Sequence, residues 1–164
     1  MTGARARIEP WQEDDLGLLQ ALLGDPAMMV HLGGPEPAAK IADRHARYLR
    51  TDDQFRIVEA ASGEAVGWVG FWPREWQGTQ IYEIGWSVLP AYQGRGLARA
   101  ATELAIDAAR EAGGADTVHA YPAVDNAPSN ALCRRLGFTL LGAFAFEYPP
   151  GHALQCNDWA LALR

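Results

Sequence analysis

The 164-residue sequence has only two cysteines and no cluster of potential metal ligands. Cys133 and Cys156 lie far apart and form no Cys-x-x-Cys pair, so neither a disulfide framework nor a zinc site is indicated. The four histidines show no metal-ligand spacing either; they are His31, His45, His119 and His152. The sequence therefore predicts no bound metal, and both cysteines are expected to be buried thiols.

An excess of positive charge is also missing. Arginine and lysine together number 14 against 20 acidic residues, which gives a formal net charge of −6 and a pI near 5.1. A nucleic-acid binder needs a basic surface that neutralises phosphates, so we expect no nucleic-acid partner. A cationic substrate fits the charge balance better.

Long apolar runs are missing as well. No segment approaches the roughly 20 apolar residues that a membrane-spanning helix needs. The N-terminal segment MTGARARIEPW lacks the apolar stretch of a signal peptide. We therefore expect a cytoplasmic protein without membrane contacts.

The composition that remains is that of an ordinary globular protein, with 49% hydrophobic and 21% charged residues. This length suffices for one well-buried core and is short for two, so we expect one domain over residues 1–164. Periodicity and turn residues predict strands at 5–9, 55–61, 65–72, 80–88, 117–121, 138–147 and 155–163, and helices at 16–23, 38–49, 97–112 and 129–136. Residues 73–78 are predicted to form a polar loop.

The order of these elements predicts the fold class. Strands grouped before one isolated strand, helix and strand crossover favour an α+β, or mixed α/β, protein. The sheet should be mostly antiparallel. Parallel pairing is expected only around the long helix at 97–112, because a parallel connection needs a crossover.

The most informative stretch follows the strand at 80–88. A loop with Gly94 and Gly96 leads directly into the long helix, whose first turn offers free backbone N–H groups. Glycine permits a phosphate to approach the main chain closely, and the helix dipole adds partial positive charge. Arg95 and Arg99 lie beside the loop. The pattern predicts an anion site; alternatively, the glycines only make a tight turn.

A dinucleotide site of the Rossmann type is the obvious competitor, because Gly94-Arg95-Gly96 opens a helix after a strand. Two details argue against it. Arg99 replaces the third glycine of that fingerprint, and the acidic residue Asp116 precedes the next strand when it should end it. The antiparallel strands upstream are also wrong for a doubly wound sheet.

The same residues carry a resemblance to a known family. Gln93-Gly94-Arg95-Gly96-Leu97-Ala98 resembles the Q/R-x-x-G-x-G/A motif of the GNAT acetyltransferase superfamily. A second conserved block of that family resembles Asn126-Ala127-Pro128-Ser129 followed by Leu132 and Leu136-Gly137-Phe138. The segments RARIEPWQEDD and DPAMMVHLGGP and the surroundings of Asp158-Trp159 are similar to the branch of ribosomal-protein N-acetyltransferases, of the RimJ and RimL kind.

The resemblance implies a twisted, mostly antiparallel sheet of about six to seven strands with flanking helices and a splayed parallel pair at the coenzyme site. It also implies acetyl-coenzyme A as cosubstrate, with the pyrophosphate on the amides of the glycine loop and pantetheine along the end of the strand at 80–88. The coenzyme-binding residues implied in this way are Trp86, Ser87, Val88, Gln93, Gly94, Arg95, Gly96, Leu97, Ala98, Asn126 and Ser129. For Asn126 a turn residue is the alternative.

Attack of an amine on a thioester requires one group that takes up the amine proton and another that protonates the departing thiolate. Glu83 is the first candidate for the acceptor, directly or through water, and a structural carboxylate is the alternative. Many family members carry a tyrosine as the acid where this sequence has Cys133. By resemblance to the ribosomal-protein branch, Ser129 is the candidate acid, and a helix-capping hydroxyl is the alternative. A covalent acyl-enzyme on Cys133 is disfavoured, because nothing in the sequence indicates an activated thiolate.

Aromatic residues around the strands at 65–88 supply candidates for the acceptor site. Trp72 and Trp76, placed at the exposed loop end, and Tyr82 are candidates to line a pocket whose ring faces hold a cation. Packing in the core is the alternative for these rings. His31 is a candidate for the opposite wall.

Together these features predict an acetyl-coenzyme A-dependent N-acetyltransferase that moves an acetyl group to a primary amine by direct attack in a ternary complex. The acceptor is a small molecule or a peptide N-terminus, and the choice between monomer and homodimer stays open. A non-catalytic domain that binds or senses acyl-coenzyme A is the alternative function, because Cys133 stands where the family has its acid tyrosine.

Overall fold

The computed structural model describes residues 5–147 and 150–164. Within these ranges the chain forms seven strands and four α-helices. They are β1 (Ala6–Pro10), α1 (Leu16–Leu23), α2 (Ala38–Tyr48), β2 (Gln54–Glu59), β3 (Ala65–Trp76), β4 (Thr79–Val88), α3 (Leu97–Ala112), β5 (Thr117–Ala120), α4 (Ala127–Arg135), β6 (Thr139–Glu147) and β7 (Ala153–Ala162). One-turn 3₁₀ helices at Glu13–Asp15 and Pro90–Tyr92 precede α1 and α3.

The strands form one sheet in the order β1-β2-β3-β4-β5-β7-β6. The pairs β1–β2, β2–β3, β5–β7 and β6–β7 are antiparallel, and a hairpin joins β3 to β4. β4 and β5 are parallel, with α3 as the crossover between them. The predicted α+β class with a mostly antiparallel sheet is confirmed.

The parallel ladder is short. It contains two residue pairs, Tyr82 with Val118 and Glu83 with His119, whereas β4 continues to Val88. This limited pairing is consistent with the splayed parallel pair that the resemblance implies.

The β3–β4 hairpin corrects the predicted loop at 73–78. β3 runs on through Pro73 to Trp76, and only Gln77 and Gly78 form the turn, with φ of 51° and 80°. Two consecutive positive φ values are typical of the tight hairpin turns whose twist matches that of the strands. Pro73 is tolerated in β3 because the β2 partners of β3 end at Gly70, so a missing N–H breaks no bond of that ladder.

Two compact units make up the described chain. The first contains the residues up to Val30 together with Gly34–Gly70 and Gly85–Ala105. The second contains His31–Gly33, Phe71–Ile84 and the described residues from Ile106 onward. Strands β3 and β4 and helix α3 each contribute residues to both units. The expectation of a single domain stays a prediction.

An aromatic and aliphatic cluster holds α1 and α2 together in the first unit. Leu19 of α1 and Ile41 and Tyr48 of α2 are buried with Trp11. The Trp68 ring of β3 stacks on Tyr48, with ring centroids 5.6 Å apart and planes 6° from parallel. Full burial of a large apolar side chain contributes about 1.5–3 kcal/mol, so burial of these residues stabilises the packing of α1 against α2.

The strands of the second unit present two different faces, because successive side chains alternate across a strand. Tyr82 and Trp159 are buried on one face. Their chain neighbours Glu83 and Asp158 lie on the other, where they share a face with His119 through the register of β4, β5 and β7. The polar chemistry of this unit is therefore concentrated on one side of its strands.

Helix α4 is fixed to the opposite face through one amide side chain. Asn130 Oδ1 accepts hydrogen bonds from Trp159 Nε1 and Asn157 Nδ2, both at 2.8 Å. Asn130 Nδ2 donates to the carbonyls of Ala123 and Asn126. All four bonding positions of a primary amide are used, which fixes the orientation of α4 on β7.

None of the helices in the described ranges is both long and apolar enough to cross a membrane.

Candidate active site

The glycine loop of the first unit has the backbone geometry that an anion site needs. Gly94 and Gly96 both have left-handed φ values, 76° and 77°, and α3 begins at the next residue, Leu97. The first i to i−4 bond of the helix runs from Ala100 N to Gly96 O at 3.1 Å. The amides of Leu97 and Ala98 therefore precede the helical ladder and are available to an anion.

The two glycines of the loop differ in the space around them: Gly96 is closely surrounded and Gly94 is not. A Cβ placed on Gly96 would lie 2.9 Å from Arg5 Nη1, whereas a Cβ on Gly94 would meet nothing within 4 Å. Arg5 Nη1 donates to the Arg95 carbonyl at 3.0 Å, so one guanidinium stands directly against the loop. The residues present fit a phosphate group, since they combine unbonded amides with positive charge.

The side chain of Arg95 is partly exposed, but it also contacts two other side chains. Its Nη1 donates to Glu59 Oε2 at 3.0 Å, and its guanidinium lies 5.2 Å from the centre of the Tyr92 ring. Arg99 pairs with Glu103 one turn further along α3. Each of these arginines already has a protein partner, so their contribution to a phosphate is long-range charge.

Gln93 ties the loop to the end of β4. Its Nε2 donates to the Val88 carbonyl at 2.9 Å and contacts Met28 Sδ at 3.5 Å. Trp86 and Ser87 are half-buried in the strand before it. The predicted coenzyme residues of β4 and of the loop thus form one connected segment of the first unit.

In the second unit, the polar face carries a group of six side chains that we name the Glu83 cluster. Its members are Arg74, Trp76, Glu83, His119, Tyr121 and Asp158. They come from β3, β4, β5 and β7 and from the residue that follows β5. The cluster brings together an acid–base pair, an ion pair and two aromatic rings.

Within the cluster, Glu83 is held by an ion pair. Arg74 Nη1 contacts Glu83 Oε1, and the two side chains are 29% and 18% exposed. The Arg74 guanidinium also lies 5.2 Å and 5.1 Å from the ring centres of Trp76 and Tyr121. Burial raises the pKa of the Glu83 carboxyl, and the contact with Arg74 opposes that rise.

His119 and Asp158 form the second pair. His119 Nδ1 lies 2.6 Å from Asp158 Oδ1, and Trp76 Nε1 donates to Asp158 Oδ2 at 3.1 Å. Both carboxylate oxygens are therefore engaged, and both side chains of the pair are about one-tenth exposed. A carboxylate that accepts from Nδ1 leaves Nε2 of the imidazole as the free nitrogen.

The Tyr121 hydroxyl is a buried polar group without a partner. In the described part of the chain it is the one buried side-chain oxygen or nitrogen for which no hydrogen bond is found. Its ring stacks on His119 at 5.9 Å and contacts Trp76 at 5.1 Å. Burial first, and then the charge of Asp158, raises the pKa of Tyr121, so the hydroxyl stays protonated at neutral pH.

The N-terminus of α4 places two predicted site residues. Asn126 is the N-cap, and its Oδ1 accepts from the backbone N–H of Ser129 at 3.3 Å. The helix begins two residues earlier than predicted, because this cap and Pro128 in the first turn satisfy the start of the helix. The capping oxygen belongs to Asn126, and Ser129 enters that bond only through its backbone.

Cys133 lies on α4 and is fully buried. Burial raises the pKa of its thiol to about 12. At neutral pH such a cysteine is almost entirely protonated, which disfavours a nucleophilic role. Cys156 is buried too, and burial followed by the nearby Glu83 charge raises the pKa of its thiol.

The other predicted acceptor residues are dispersed. Tyr82 is buried on the face opposite Glu83, where its hydroxyl accepts from the Gly114 N–H at 3.0 Å. Trp72 is half-buried two residues before Arg74 in β3, on the same strand face. His31 Nδ1 lies 3.1 Å from Asp125 Oδ1. Of the predicted acceptor residues, only Trp76 is a member of the Glu83 cluster.

Four members of the cluster are not among the site residues predicted from the sequence: Arg74, His119, Tyr121 and Asp158. Arg74 lies in the segment 73–78 that is predicted to be a loop, although the alternation of Trp72, Arg74 and Trp76 is a strand pattern. His119 carried a usable signal, since a polar residue in the interior of a short apolar strand is unusual. No group of potential metal ligands is found among residues 5–147 and 150–164.

The family model for the acetyltransferase (GNAT) domain matches residues 5–139, most of the chain. The chain belongs to the GNAT acetyltransferase family. The family part of the predicted resemblance is thereby confirmed, and the loop before α3 is the part of this GNAT chain that carries the matching motif.

Solved structures similar to this GNAT chain agree in fold. A GNAT-family acetyltransferase from Bacillus anthracis superposes with a TM-score of 0.83 at 19% identity, over 99% of this chain and 98% of that one. Spermidine N-acetyltransferase from Vibrio cholerae, in complex with CoA and spermine, gives 0.79 at 16% identity over 98% and 97%. Ribosomal-protein-alanine N-acetyltransferase from Brucella melitensis gives 0.75 at 23% identity over 96% and 98%. The similar structures thus include the branch that the sequence resembles.

Proposed function

We propose that this GNAT chain transfers an acetyl group from acetyl-coenzyme A to a primary amine by direct attack in a ternary complex. The observation that carries the proposal is the loop before α3, where two left-handed glycines precede the unbonded amides of Leu97 and Ala98. An anionic cosubstrate fits these amides. The similar structure from Vibrio cholerae contains CoA and spermine, which supports a coenzyme A thioester and an amine as the two substrates.

Direct attack is proposed because the chain offers no activated thiol. Burial raises the pKa of Cys133 to about 12, and the side chain is fully buried. A covalent acyl-enzyme would need a thiolate at this or another accessible position. The acetyl group is therefore proposed to pass from sulfur to nitrogen without a protein intermediate.

For the proton steps, the assignments made from the sequence stay proposals. From the sequence, Glu83 is the candidate acceptor of the amine proton, and Ser129 is the candidate donor to the departing thiolate. Two features of the structure bear on Glu83. Burial favours its neutral form and so makes it a stronger base, whereas the Arg74 contact favours its charged form and makes it a weaker one.

The acceptor is proposed to be a small amine or a peptide N-terminus. In the Glu83 cluster the Arg74 guanidinium already occupies the Glu83 carboxylate and the faces of Trp76 and Tyr121, so the acceptor proposal rests on the similar structures. Spermidine and ribosomal-protein acetyltransferases both occur among the similar structures, so both acceptor types stay in the proposal. Location in the cytoplasm, the choice between monomer and homodimer, and the coenzyme roles of Trp86, Ser87 and Asn126 also stay predictions.

The test is an assay of thiol release from acetyl-coenzyme A with spermine, with peptides that begin in alanine or serine, and without any amine. Release that depends on the amine, with a matching acetylated product by mass spectrometry, is expected. Coenzyme A affinity is measured in parallel by calorimetry. A chain that binds coenzyme A but shows only amine-independent background with every acceptor would favour the binding or sensing domain instead.

A further inference from the structure

The pair formed by His119 and Asp158 has acid–base chemistry that the proposed roles of Glu83 and Ser129 do not use. We propose that His119, oriented by Asp158, is the group that takes up the proton of the acceptor amine, and that Glu83 serves to hold Arg74. This inference rests on the proposed transfer to an amine and names the proton acceptor of that reaction.

The hydrogen bonds of Asp158 define the state of the imidazole. An ionised carboxylate can only accept, so the short 2.6 Å contact with Asp158 Oδ1 places the proton of a neutral His119 on Nδ1. Nε2 then carries the lone pair. The second carboxylate oxygen accepts from Trp76 Nε1 at 3.1 Å, which fixes the carboxylate against rotation. A carboxylate that orients an imidazole in this way is the usual arrangement for a histidine base.

Glu83 is less free to act. Its carboxylate contacts the Arg74 guanidinium, which in turn lies over the rings of Trp76 and Tyr121. A charge-assisted bond to arginine stabilises the ionised carboxylate and so makes it a weaker base. His119 has a carboxylate as its partner instead, and it is the direct cross-strand partner of Glu83.

The environment of His119 indicates that a polar ligand group belongs beside it. The Tyr121 ring stacks on the imidazole, and the Tyr121 hydroxyl is buried without a hydrogen-bond partner. Buried hydroxyl groups are almost always paired, so an orphan one marks the place of a polar group from a bound molecule. An amine or its amide product supplies such a group.

The proton balance of the step is closed. The amine nitrogen forms a bond to the carbonyl carbon, the carbon–sulfur bond breaks, and its electron pair leaves with the sulfur as thiolate. One proton passes from the nitrogen to His119 Nε2 and from there to solvent, and the thiolate takes up one proton from the candidate donor Ser129, which solvent reprotonates, to give the free thiol. An acceptor that arrives as an ammonium ion releases one further proton to solvent.

The charged and titratable groups that face His119 come from each neighbouring strand. Asp158 of β7 and Tyr121 after β5 contact His119, and Glu83 of β4 is its cross-strand partner. Arg74 of β3 and Cys156 of β7 lie near Glu83. Imidazole is the side chain that ordinarily titrates between about pH 5 and 8. A base that accepts the amine proton is inactive once it carries a proton, so kcat should fall on the acidic side of the profile, and the variant in which that limb disappears identifies the base.

The test compares His119→Asn with wild type, because the asparagine amide keeps a donor to Asp158 but has no titratable nitrogen. At neutral pH kcat should fall by roughly 10² to 10⁴ while coenzyme A affinity is unchanged, and the acidic limb of the kcat profile should disappear. His152→Asn removes an exposed imidazole outside the cluster and should change neither quantity. Asp158→Asn, which disturbs the tautomer of His119, should lower kcat by a similar factor.

Several results would overturn the inference. A kcat of His119→Asn within threefold of wild type is one such result. Another is an acidic limb of the kcat profile that is still present in His119→Asn but absent in Glu83→Gln. If His119→Asn fails to fold, as judged by its melting and its coenzyme A affinity, an undiminished kcat of Asp158→Asn overturns the inference equally. A wild-type chain that acetylates no amine removes both proposals, whereas an active wild type with an active His119→Asn removes this one alone.

Discussion

Glu83 and His119 are direct partners in the parallel ladder of β4 and β5. Paired residues project from the same side of a sheet, so a carboxylate and an imidazole are neighbours there. Each has its own counter-group, Arg74 for Glu83 and Asp158 for His119. Because the two pairs share no residue, substitution of Arg74 tests the Glu83 pair alone, and substitution of Asp158 tests the His119 pair alone.

Replacement of Arg74 by glutamine should destabilise the protein by an amount that grows with pH. Arg74 opposes the rise in the pKa of Glu83 that burial causes, so its loss lets that pKa rise further above its ordinary value of 4.5. A carboxyl whose pKa is raised on folding makes the folded state less stable as the pH rises above the unfolded value. The deficit should be smallest near pH 4.5 and reach about 1–3 kcal/mol at pH 7.5, measured by urea unfolding.

The control for this prediction is the double variant Arg74→Gln with Glu83→Gln. Without a carboxyl at position 83 the pH-dependent part of the deficit should disappear. A deficit of Arg74→Gln that is equal at both pH values would show that packing of the guanidinium on Trp76 and Tyr121 is what matters, and that the charge is not.

Replacement of Gly96 by alanine should weaken coenzyme A binding by tenfold or more, which corresponds to about 1.4 kcal/mol. The left-handed φ of 77° is strained for alanine, and its Cβ would displace Arg5 Nη1 from the loop. Gly63→Ala is the matched control, because Gly63 has a φ of 70° in the turn between β2 and β3 and its Cβ would meet nothing within 4 Å. Calorimetry that finds equal affinity in a folded Gly96→Ala protein would remove the anion-site proposal.

The fold class can be predicted from the sequence because the patterns that define its helices and strands are local. Helical periodicity over 97–112 and strand alternation in the neighbouring segments are local patterns, and they define the long crossover and the strands on either side of it. The glycine loop is local too, because left-handed φ and a helix start occur within a few consecutive residues. Such features need no knowledge of which strands are neighbours.

The Glu83 cluster could not be predicted in the same way. His119 contacts Asp158 only because β5 pairs with β7 and not with β6. Trp76 and Asp158 are hydrogen-bonded although they are 82 positions apart in the sequence. Contacts of this kind depend on strand order and register, which single-sequence patterns leave undetermined. The predicted strand ends at residue 72, because proline is rare inside strands, whereas β3 continues through Pro73 to Trp76.

Cys133 should not carry an acetyl group during the reaction. Since burial raises the pKa of its thiol to about 12, only about one molecule in 10⁴ would be thiolate at pH 8. Intact mass after exposure to acetyl-coenzyme A without an amine should therefore be unchanged, and Cys133→Ala should retain most of the activity. A stoichiometric acetyl adduct at Cys133 that an amine discharges would replace the ternary-complex mechanism by a ping-pong one.

Ser129→Ala separates a chemical role of the hydroxyl from a structural one. The N-cap bond of α4 runs from the backbone N–H of Ser129 to Asn126 Oδ1, and alanine keeps that N–H. Stability should therefore change little, whereas kcat should fall by a modest factor if the hydroxyl protonates the departing sulfur. The factor is expected to be modest because a thiolate is already a tolerable leaving group.

Asn126→Ala is the structural counterpart, because it removes the capping oxygen and leaves the Ser129 hydroxyl in place. Loss of an N-cap costs about 1 kcal/mol, so this variant should unfold at lower denaturant than Ser129→Ala. The two readouts should thus separate, with stability following Asn126 and turnover following Ser129. If Ser129→Ala instead loses stability with kcat intact, the hydroxyl is structural, and the Tyr121 hydroxyl, which is buried and protonated, becomes the group to test as the acid.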